Sequence, residues 1–248
     1  MTATDRTAAN KNMDTKMMIC TICARGGSKG VKNKNTRMIA GQPLIAHSVQ
    51  RALESGFFKY VAVSSDDPAI LAAAKDAGAN ILVQRPDALA TDSAAKIPAI
   101  QHCFLDVERQ TGETFDHVID LDATSPLRTI DDIKAVIEIL HQTGVGNVIT
   151  AAPARRSPYF TLLECDENGV PHLSKTAPVT VVRRQDAPPC YDMNAAVYGW
   201  TRASLLEGDS LFGPDTRLYV MPEDRSIDID SELDFRIVEM LLTEDSGV

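Results

Sequence analysis

The segment Arg25–Arg37 carries five Lys or Arg and no acid, in a chain whose formal net charge is −9. Within it, Gly26, Gly27 and Gly30 let backbone N–H groups approach an anion closely. Arg25, Lys29, Lys32 and Lys34 bring countercharge on the scale of a triphosphate. The segment is not a Walker A loop, because no Gly-Lys-Ser/Thr closes it at the required spacing, and it is not G-x-G-x-x-G. Near the other end of the chain, Ile227-Asp228-Ile229-Asp230 alternates apolar and acidic residues. An extended backbone there puts both carboxylates on one face and both isoleucines on the other. Paired carboxylates are hard oxygen ligands suited to Mg²⁺, which usually takes one or two of them plus phosphate oxygens and water. Asp230 has a second, compatible reading as the cap of the helix that follows.

The elements that must hold these groups alternate. Strands are expected at Met18–Ala24, Tyr60–Ser64, Asn80–Val83, His117–Leu121 and Asn147–Ala152. Helices are expected near Pro43–Ser55, Pro68–Ala77, Ala94–Arg109 and Asp131–Thr143. Asp67 before Pro68, and Thr129 three residues before Asp132, are helix N-cap patterns. Such alternation implies right-handed crossovers and a mainly parallel sheet. Ligands of these sheets bind at the carboxyl ends of the strands, and the basic segment follows the first strand directly. The rhythm breaks over residues 153–192, which hold six prolines and β-like pieces at Tyr159–Cys165 and Val179–Arg183. This stretch reads as an inserted extension, with subunit contact and structural filler both open. Strand and helix return at Ala195–Trp200, Arg202–Glu207, Leu218–Met221 and Glu232–Leu242. The chain therefore reads as a polar tail over 1–16 and one domain over 17–248.

Composition removes several classes of function. The acidic balance argues against a nucleic-acid surface. No apolar run is long enough for a membrane span, and the polar start lacks the apolar core of a signal peptide. Five cysteines, an odd number, point to a reduced, cytoplasmic setting. Cys20 and Cys23 have C-x-x-C spacing, but on a strand their side chains face opposite ways, so both read as core. The five histidines show no ligand spacing.

The ordered motifs Arg25-x-x-Ser28-Lys29-Gly30-x-x-x-Lys34-Asn35, Arg85-Pro-x-x-Leu-Ala-x-Asp92, Thr124-Ser-Pro-Leu-Arg128, Arg184-Gln185, Asn194 and Ser226-Ile-Asp-Ile-Asp230 resemble the acylneuraminate cytidylyltransferases, the CMP–sialic acid synthetase family. The likeness runs from about Met17 to Leu242. It implies a three-layer, Rossmann-like nucleotidyltransferase fold with an inserted dimerisation extension. It also implies transfer of CMP from CTP to an acidic nine-carbon sugar, with Mg²⁺ as cofactor and a homodimer as the working unit. By the resemblance, Arg25 and Lys34 bind the CTP phosphates and act in catalysis with Asp228 and Asp230, which hold the metal. Gly26, Gly27, Ser28 and Asn35 shape the nucleotide pocket, and Arg85, Asp92, Ala94 and Lys96 fall where cytosine and ribose are held. Arg184, Gln185, Tyr191 and Asn194 fall on the sugar side. Two places depart from the sialic acid pattern. Asp122 stands where that family reads Gln, and Asp192 where a basic residue is common. The overall pattern is most similar to the branch that acts on legionaminic acid, a bacterial diamino relative of sialic acid. Asp122 keeps two readings, a sugar contact or a further metal carboxylate.

Overall fold

The computed structural model describes residues 18–142, 144–177 and 181–245. The expected tail over 1–16 and part of the β-like piece Val179–Arg183 lie outside the described residues. Strand β1 (Met18–Cys23) is followed by the hairpin β2 (Met38–Ile39) and β3 (Gln42–Pro43). Then come α1 (Leu44–Ser55), β4 (Tyr60–Ser65), α2 (Pro68–Asp76), β5 (Ile81–Gln84), α3 (Lys96–Thr111), β6 (His117–Leu121) and α4 (Ile130–Leu140). The second half holds β7 (Asn147–Pro153), β8 (Leu163–Cys165), β9 (Pro171–Leu173), β10 (Tyr191–Met193) and β11 (Val197–Thr201). It closes with α5 (Arg202–Glu207), β12 (Thr216–Val220) and α6 (Glu232–Asp245).

The main sheet runs β5-β4-β1-β6-β11-β7-β10, with β12 also paired to β7. The pairs β4–β5, β1–β4, β1–β6 and β7–β12 are parallel, and β10 and β11 run against their neighbours. From β1 the chain steps outward to β4 and β5, then returns to β6 on the other side of β1. That reversal opens a crevice at the carboxyl ends of β1 and β6, where such sheets take ligands.

Local sequence explains why the helices start where they do. The Asp67 side chain accepts from the Ala69 N–H ahead of α2, with Pro68 in the first turn. Thr129 and Asp132 cap each other's backbone N–H groups at α4, forming a full capping box. Two buried clusters cover the two faces of the sheet. Ile45, Val49, Ile70, Ile133 and Ile137, from α1, α2 and α4, pack on one face. Ile97, Ile100, Phe104 and Leu205, from α3 and α5, pack on the other. The result is the three-layer arrangement, helices–sheet–helices. Cys20 belongs to the first face and Cys23 packs against the second, so the C-x-x-C sulfurs do not converge.

A third, smaller cluster matters more for the site. Val31 from the basic loop, Ile39 and Leu44 from the hairpin region, Ile229, and Phe235 and Val238 from α6 bury one another. Val31 and Ile229 are 1% and 0% exposed. Burying one such side chain is worth about 1.5–3 kcal/mol, so this cluster docks the Ile227–Asp230 segment against the basic loop. Much of the stretch after β7 lies open to solvent. The piece expected at Tyr159–Cys165 narrows to β8, which forms an exposed hairpin with β9. Residues 181–183 are not a strand.

Candidate active site

A cavity of about 440 Å³ opens at the carboxyl ends of β1 and β6. It is lined by the basic loop (Arg25, Ser28, Lys29, Gly30, Lys34, Asn35), by Arg85, Ala94 and Lys96, and by Asp122, Thr124, Asp228 and Asp230. Its size lies in the range of small-ligand pockets. The two ends of the sequence meet here. Lys34 Nζ lies 3.6 Å from Asp230 Oδ1 and donates to the Ile229 carbonyl. Gly30 sits so close to the same segment that a Cβ added to it would lie 2.0 Å from the Asp230 carbonyl oxygen.

The basic loop is organised by ion pairs and backbone contacts. Arg25 Nη1 donates to Asp92 Oδ1 at 2.6 Å, and Lys29 Nζ lies 2.5 Å from Asp92 Oδ2. These hydrogen bonds, from Lys29 and then Arg25, hold the Asp92 carboxyl below its ordinary range. Asn35 donates to the Arg25 carbonyl at 3.0 Å, while its buried Oδ1 has no partner. The Gly26 N–H donates to Asp66 Oδ1 at 3.0 Å. Gly26 and Gly27 lie behind the cavity wall with Asn33 and Asp67. Gly27 has φ +67°, a conformation glycine adopts without strain. Arg85 is buried and fixed to the end of β4, donating to the Ser64 carbonyl at 2.9 Å.

The Ile227–Asp230 segment is extended as the alternation requires. Both isoleucines pack into the third cluster while both carboxylates face the cavity. Asp228 Oδ1 is buried without a hydrogen-bond partner. Burial, with the Asp122 charge nearby, pushes the Asp228 carboxyl up to about 6. A buried carboxylate oxygen with no donor, beside a second carboxylate, suits a hard divalent cation. Among the described residues no group of three or more His, Cys, Asp or Glu is placed to hold a metal. The donor set is thus two carboxylates and open space, which fits Mg²⁺ sharing its shell with phosphate oxygens and water.

Asp122 does not join that set. Lys96 Nζ donates to Asp122 Oδ2 at 2.7 Å and lies 3.4 Å from Asp120 Oδ2. Burial alone raises the Asp122 carboxyl, but the Lys96 ammonium outweighs it and holds the group well below the usual carboxylate range. The other Asp122 oxygen accepts from the Thr124 N–H and hydroxyl. An ammonium already pairs with this carboxylate, which favours the reading of Asp122 as a sugar contact over that of a metal ligand. Asp120 is fully buried and accepts from the Thr21 hydroxyl at 2.8 Å.

The residues expected on the sugar side divide. Arg184, Gln185 and Tyr191 line a separate hollow of about 360 Å³ with Pro153, Ala154 and Val220, sharing no residue with the first cavity. Asn194 faces inward instead. Its Oδ1 accepts from the Thr150 hydroxyl at 2.7 Å and from the Ala196 N–H, and its Nδ2 donates to the Ser226 hydroxyl at 2.9 Å. The Asn194 carboxamide, expected to meet sugar, therefore braces the start of the Ser226–Asp230 segment. Asp192 accepts the Arg155 N–H at 2.9 Å.

For three residues that the sequence had already singled out, Lys96, Arg128 and Gly30, the structure adds contacts that the sequence did not show. Lys96 is a partner of Asp122, a link 26 residues long that no local pattern announces. Arg128, fully buried with its pKa pulled down to about 10 by that burial, donates to the Ala196 carbonyl at 2.9 Å and the Ser48 hydroxyl at 2.8 Å. Its third bond, to the Asp122 carbonyl, fixes the turn after β6. Gly30 was legible only as a flexible position, not as the contact with Asp230.

A cytidylyltransferase family model matches residues 19–206. The chain belongs to the cytidylyltransferase family. It is accordingly a nucleotidyltransferase enzyme. A post-translational flagellin modification protein B of Campylobacter coli is 46% identical over 227 residues, covering 92% of this chain and 95% of that protein. A CMP-N,N'-diacetyllegionaminic acid synthase of Campylobacter jejuni is also 46% identical, over 91% of this chain and 95% of that protein. Among solved structures, a CMP:2-keto-3-deoxy-manno-octonic acid synthetase complexed with CTP aligns over 92% of this chain and 99% of its own, with TM-score 0.67 and 16% identity. At that identity the likeness speaks for the shared fold.

Proposed function

We propose that this cytidylyltransferase forms a CMP-nonulosonic acid, with legionaminic acid the preferred sugar, from CTP and the free sugar acid, releasing pyrophosphate. The observation that carries the reading is the meeting of the Arg25–Asn35 loop with Asp228 and Asp230 across one cavity. The identity to the Campylobacter jejuni synthase over nearly the whole chain supports the choice of sugar.

CTP lies across the strand ends, its phosphates on Arg25, Lys34 and Ser28, with Gly26 and Gly27 shaping the turn behind that wall. Arg85, Asp92, Ala94 and Lys96 frame the nucleoside, and Asn35 Oδ1 is a free acceptor in the same wall. Mg²⁺ held by Asp228 and Asp230 would neutralise phosphate charge and lower the pKa of the sugar hydroxyl. The anomeric hydroxyl attacks the α-phosphorus in line, the bond from that phosphorus to the bridging oxygen breaks, pyrophosphate departs and the hydroxyl proton passes to solvent. Arg25 and Lys34 aim fixed positive charge at the oxygens on which charge develops, and the chain's contribution is chiefly this positioning and charge stabilisation. Arg184, Gln185 and Tyr191 meet the sugar from residues 153–192, and their separation from the nucleotide cavity supports a site completed by a second copy of the chain. Asp122, paired with Lys96, borders the sugar end of the cavity. Five free thiols and the use of CTP support a cytoplasmic setting. No helix among the described residues is long and apolar enough to cross a membrane.

The test is pyrophosphate release from CTP with Mg²⁺ against legionaminic acid, N-acetylneuraminic acid and the octulosonic acid Kdo in parallel. Legionaminic acid should give the highest kcat/KM. No sugar-dependent release, or a preference for Kdo, would remove the reading. Arg25→Ala should lower turnover by roughly 10²–10³, the effect of losing one preorganised donor.

A further inference from the structure

The segment bearing Asp228 and Asp230 is gripped from its N-terminal side by a contact that no part of the nucleotide cavity supplies. Arg225 closes the turn Glu223–Arg225, three residues ahead of Asp228. Its Nη2 and Nε donate to Asp132 Oδ1 and Oδ2 at 2.9 Å and 3.0 Å, a two-point, planar pairing. Asp132 is fully buried and is the acidic half of the α4 capping box, accepting from the Thr129 N–H at 2.8 Å. The Tyr219 hydroxyl at the end of β12 donates to the same carboxylate at 3.2 Å. One carboxylate thus joins the start of a core helix, an edge strand and the turn that leads into Asp228.

We infer that the Arg225–Asp132 pair is a positioning latch that sets where the Asp228 and Asp230 carboxylates stand. The physical case rests on rigidity. The Ser226–Asp230 segment is not part of a strand or helix, so no ladder of backbone bonds fixes it. It is held at separate points: Lys34 on the Ile229 carbonyl, the Ile229 N–H on the Thr124 carbonyl at 3.0 Å, Asn194 on Ser226, and Arg225 on Asp132. The first two of these lie at the Asp228–Asp230 end, beside the cavity. Arg225 ties the other end to α4, which is packed into the sheet core through Ile133, Val136 and Ile137. A fork-to-fork Arg–carboxylate pair resists both sliding and rotation, which a single hydrogen bond cannot. A partner bonded directly to a metal ligand typically carries 10–100-fold in metal affinity; Arg225 acts one step further back, through the chain, which points to the lower end of that range.

The inference rests on the proposed metal role of Asp228 and Asp230, and its test separates the two. Arg225→Met and Arg225→Lys are compared with the parent by hydrogen exchange of the 222–230 amides in EDTA, by melting temperature, and by the Mg²⁺ concentration at half-maximal pyrophosphate release. The expected result for Arg225→Met is faster exchange over 222–230 with α4 still protected, and a half-saturating Mg²⁺ raised by up to roughly 10-fold. Arg225→Lys, able to make one bond but not the fork, should fall between. If Arg225→Met fails to fold, Tyr219→Phe, which removes one donor from Asp132, should show the same signs on a smaller scale. A lower melting temperature with unchanged 222–230 exchange and unchanged Mg²⁺ requirement would overturn the latch and leave a merely structural ion pair. A parent enzyme without any Mg²⁺-dependent turnover would instead overturn the functional reading, and the exchange arm would still decide the latch.

Discussion

Gly30→Ala perturbs the junction of the two chain ends with one added methyl group. Its Cβ would stand 2.0 Å from the Asp230 carbonyl oxygen, where real Cβ atoms do not come closer than 3.0 Å. The backbone must therefore open by at least 1.0 Å, the difference of those two distances. Neither side yields freely. The loop is tied by Asn35 to the Arg25 carbonyl, and the acidic segment is anchored by Ile229 in its cluster. Overpacking of this kind costs about 1–3 kcal/mol of stability. For a chain of this size that is a fall of about 2–4 °C in Tm per kcal/mol. Catalysis should suffer more, because a shift of about 1 Å between reacting groups costs on the order of 10²-fold in rate. The assay is pyrophosphate release with saturating CTP and Mg²⁺, paired with thermal melts. Gly112→Ala is the control: Gly112 has φ +71° and nothing within 4 Å of an added Cβ, so strain is introduced far from the cavity. It should lower Tm with kcat intact. Gly30→Ala with parental turnover and parental Tm would refute the argument that the loop and the Asp230 segment are held in fixed contact.

Asp228→Asn should raise stability while abolishing Mg²⁺-dependent turnover. In the fold, burial pushes this carboxyl up from the ordinary 3.8 to about 6, so between those values the folded state binds more protons than the unfolded one. Stability therefore falls as pH rises through that window, and the whole penalty, about 3 kcal/mol at about 1.4 kcal/mol per pKa unit, is in place above it. Melts in EDTA should show Asp228→Asn more stable than the parent at pH 8 and nearly equal at pH 4; a less stable variant at pH 8 would count against the buried, unrelieved charge. Asn194→Ala should cost about 2–4 kcal/mol, since it leaves the Thr150 hydroxyl and the Ala196 N–H without their acceptor and removes the tie to Ser226. Urea unfolding reads this directly, and a variant of parental stability with only a raised sugar KM would return Asn194 to the sugar site.

The parallel core was legible because its signals are local. Alternating short apolar strands and capped helices announce β1, β4, β6 and α4 within a residue or two at most boundaries. The family was legible for a similar reason: motifs such as Thr124-Ser-Pro-Leu-Arg128 keep their order along the chain whatever the fold does. The face of the Asp228–Asp230 segment followed from a period of two, which any extended backbone obeys. The extension was the weakest stretch, since exposed β pieces such as Leu163–Cys165 lack the burial that gives a strand its pattern.

The sequence alone determined the chemical inventory: a cationic, glycine-bearing loop, a pair of spaced carboxylates, and the strand–helix rhythm that puts loops at one edge of a sheet. These depend on neighbours a few residues apart, where backbone geometry is regular. The tertiary structure decided which inventory members meet. It placed Lys34 against Ile229 and Asp230, gave Asp122 to Lys96, turned Asn194 inward to Ser226, and joined Arg225 to Asp132. Each of those contacts spans tens of residues or more, and a side chain's partner at that range is set by how whole layers pack rather than by the residues beside it.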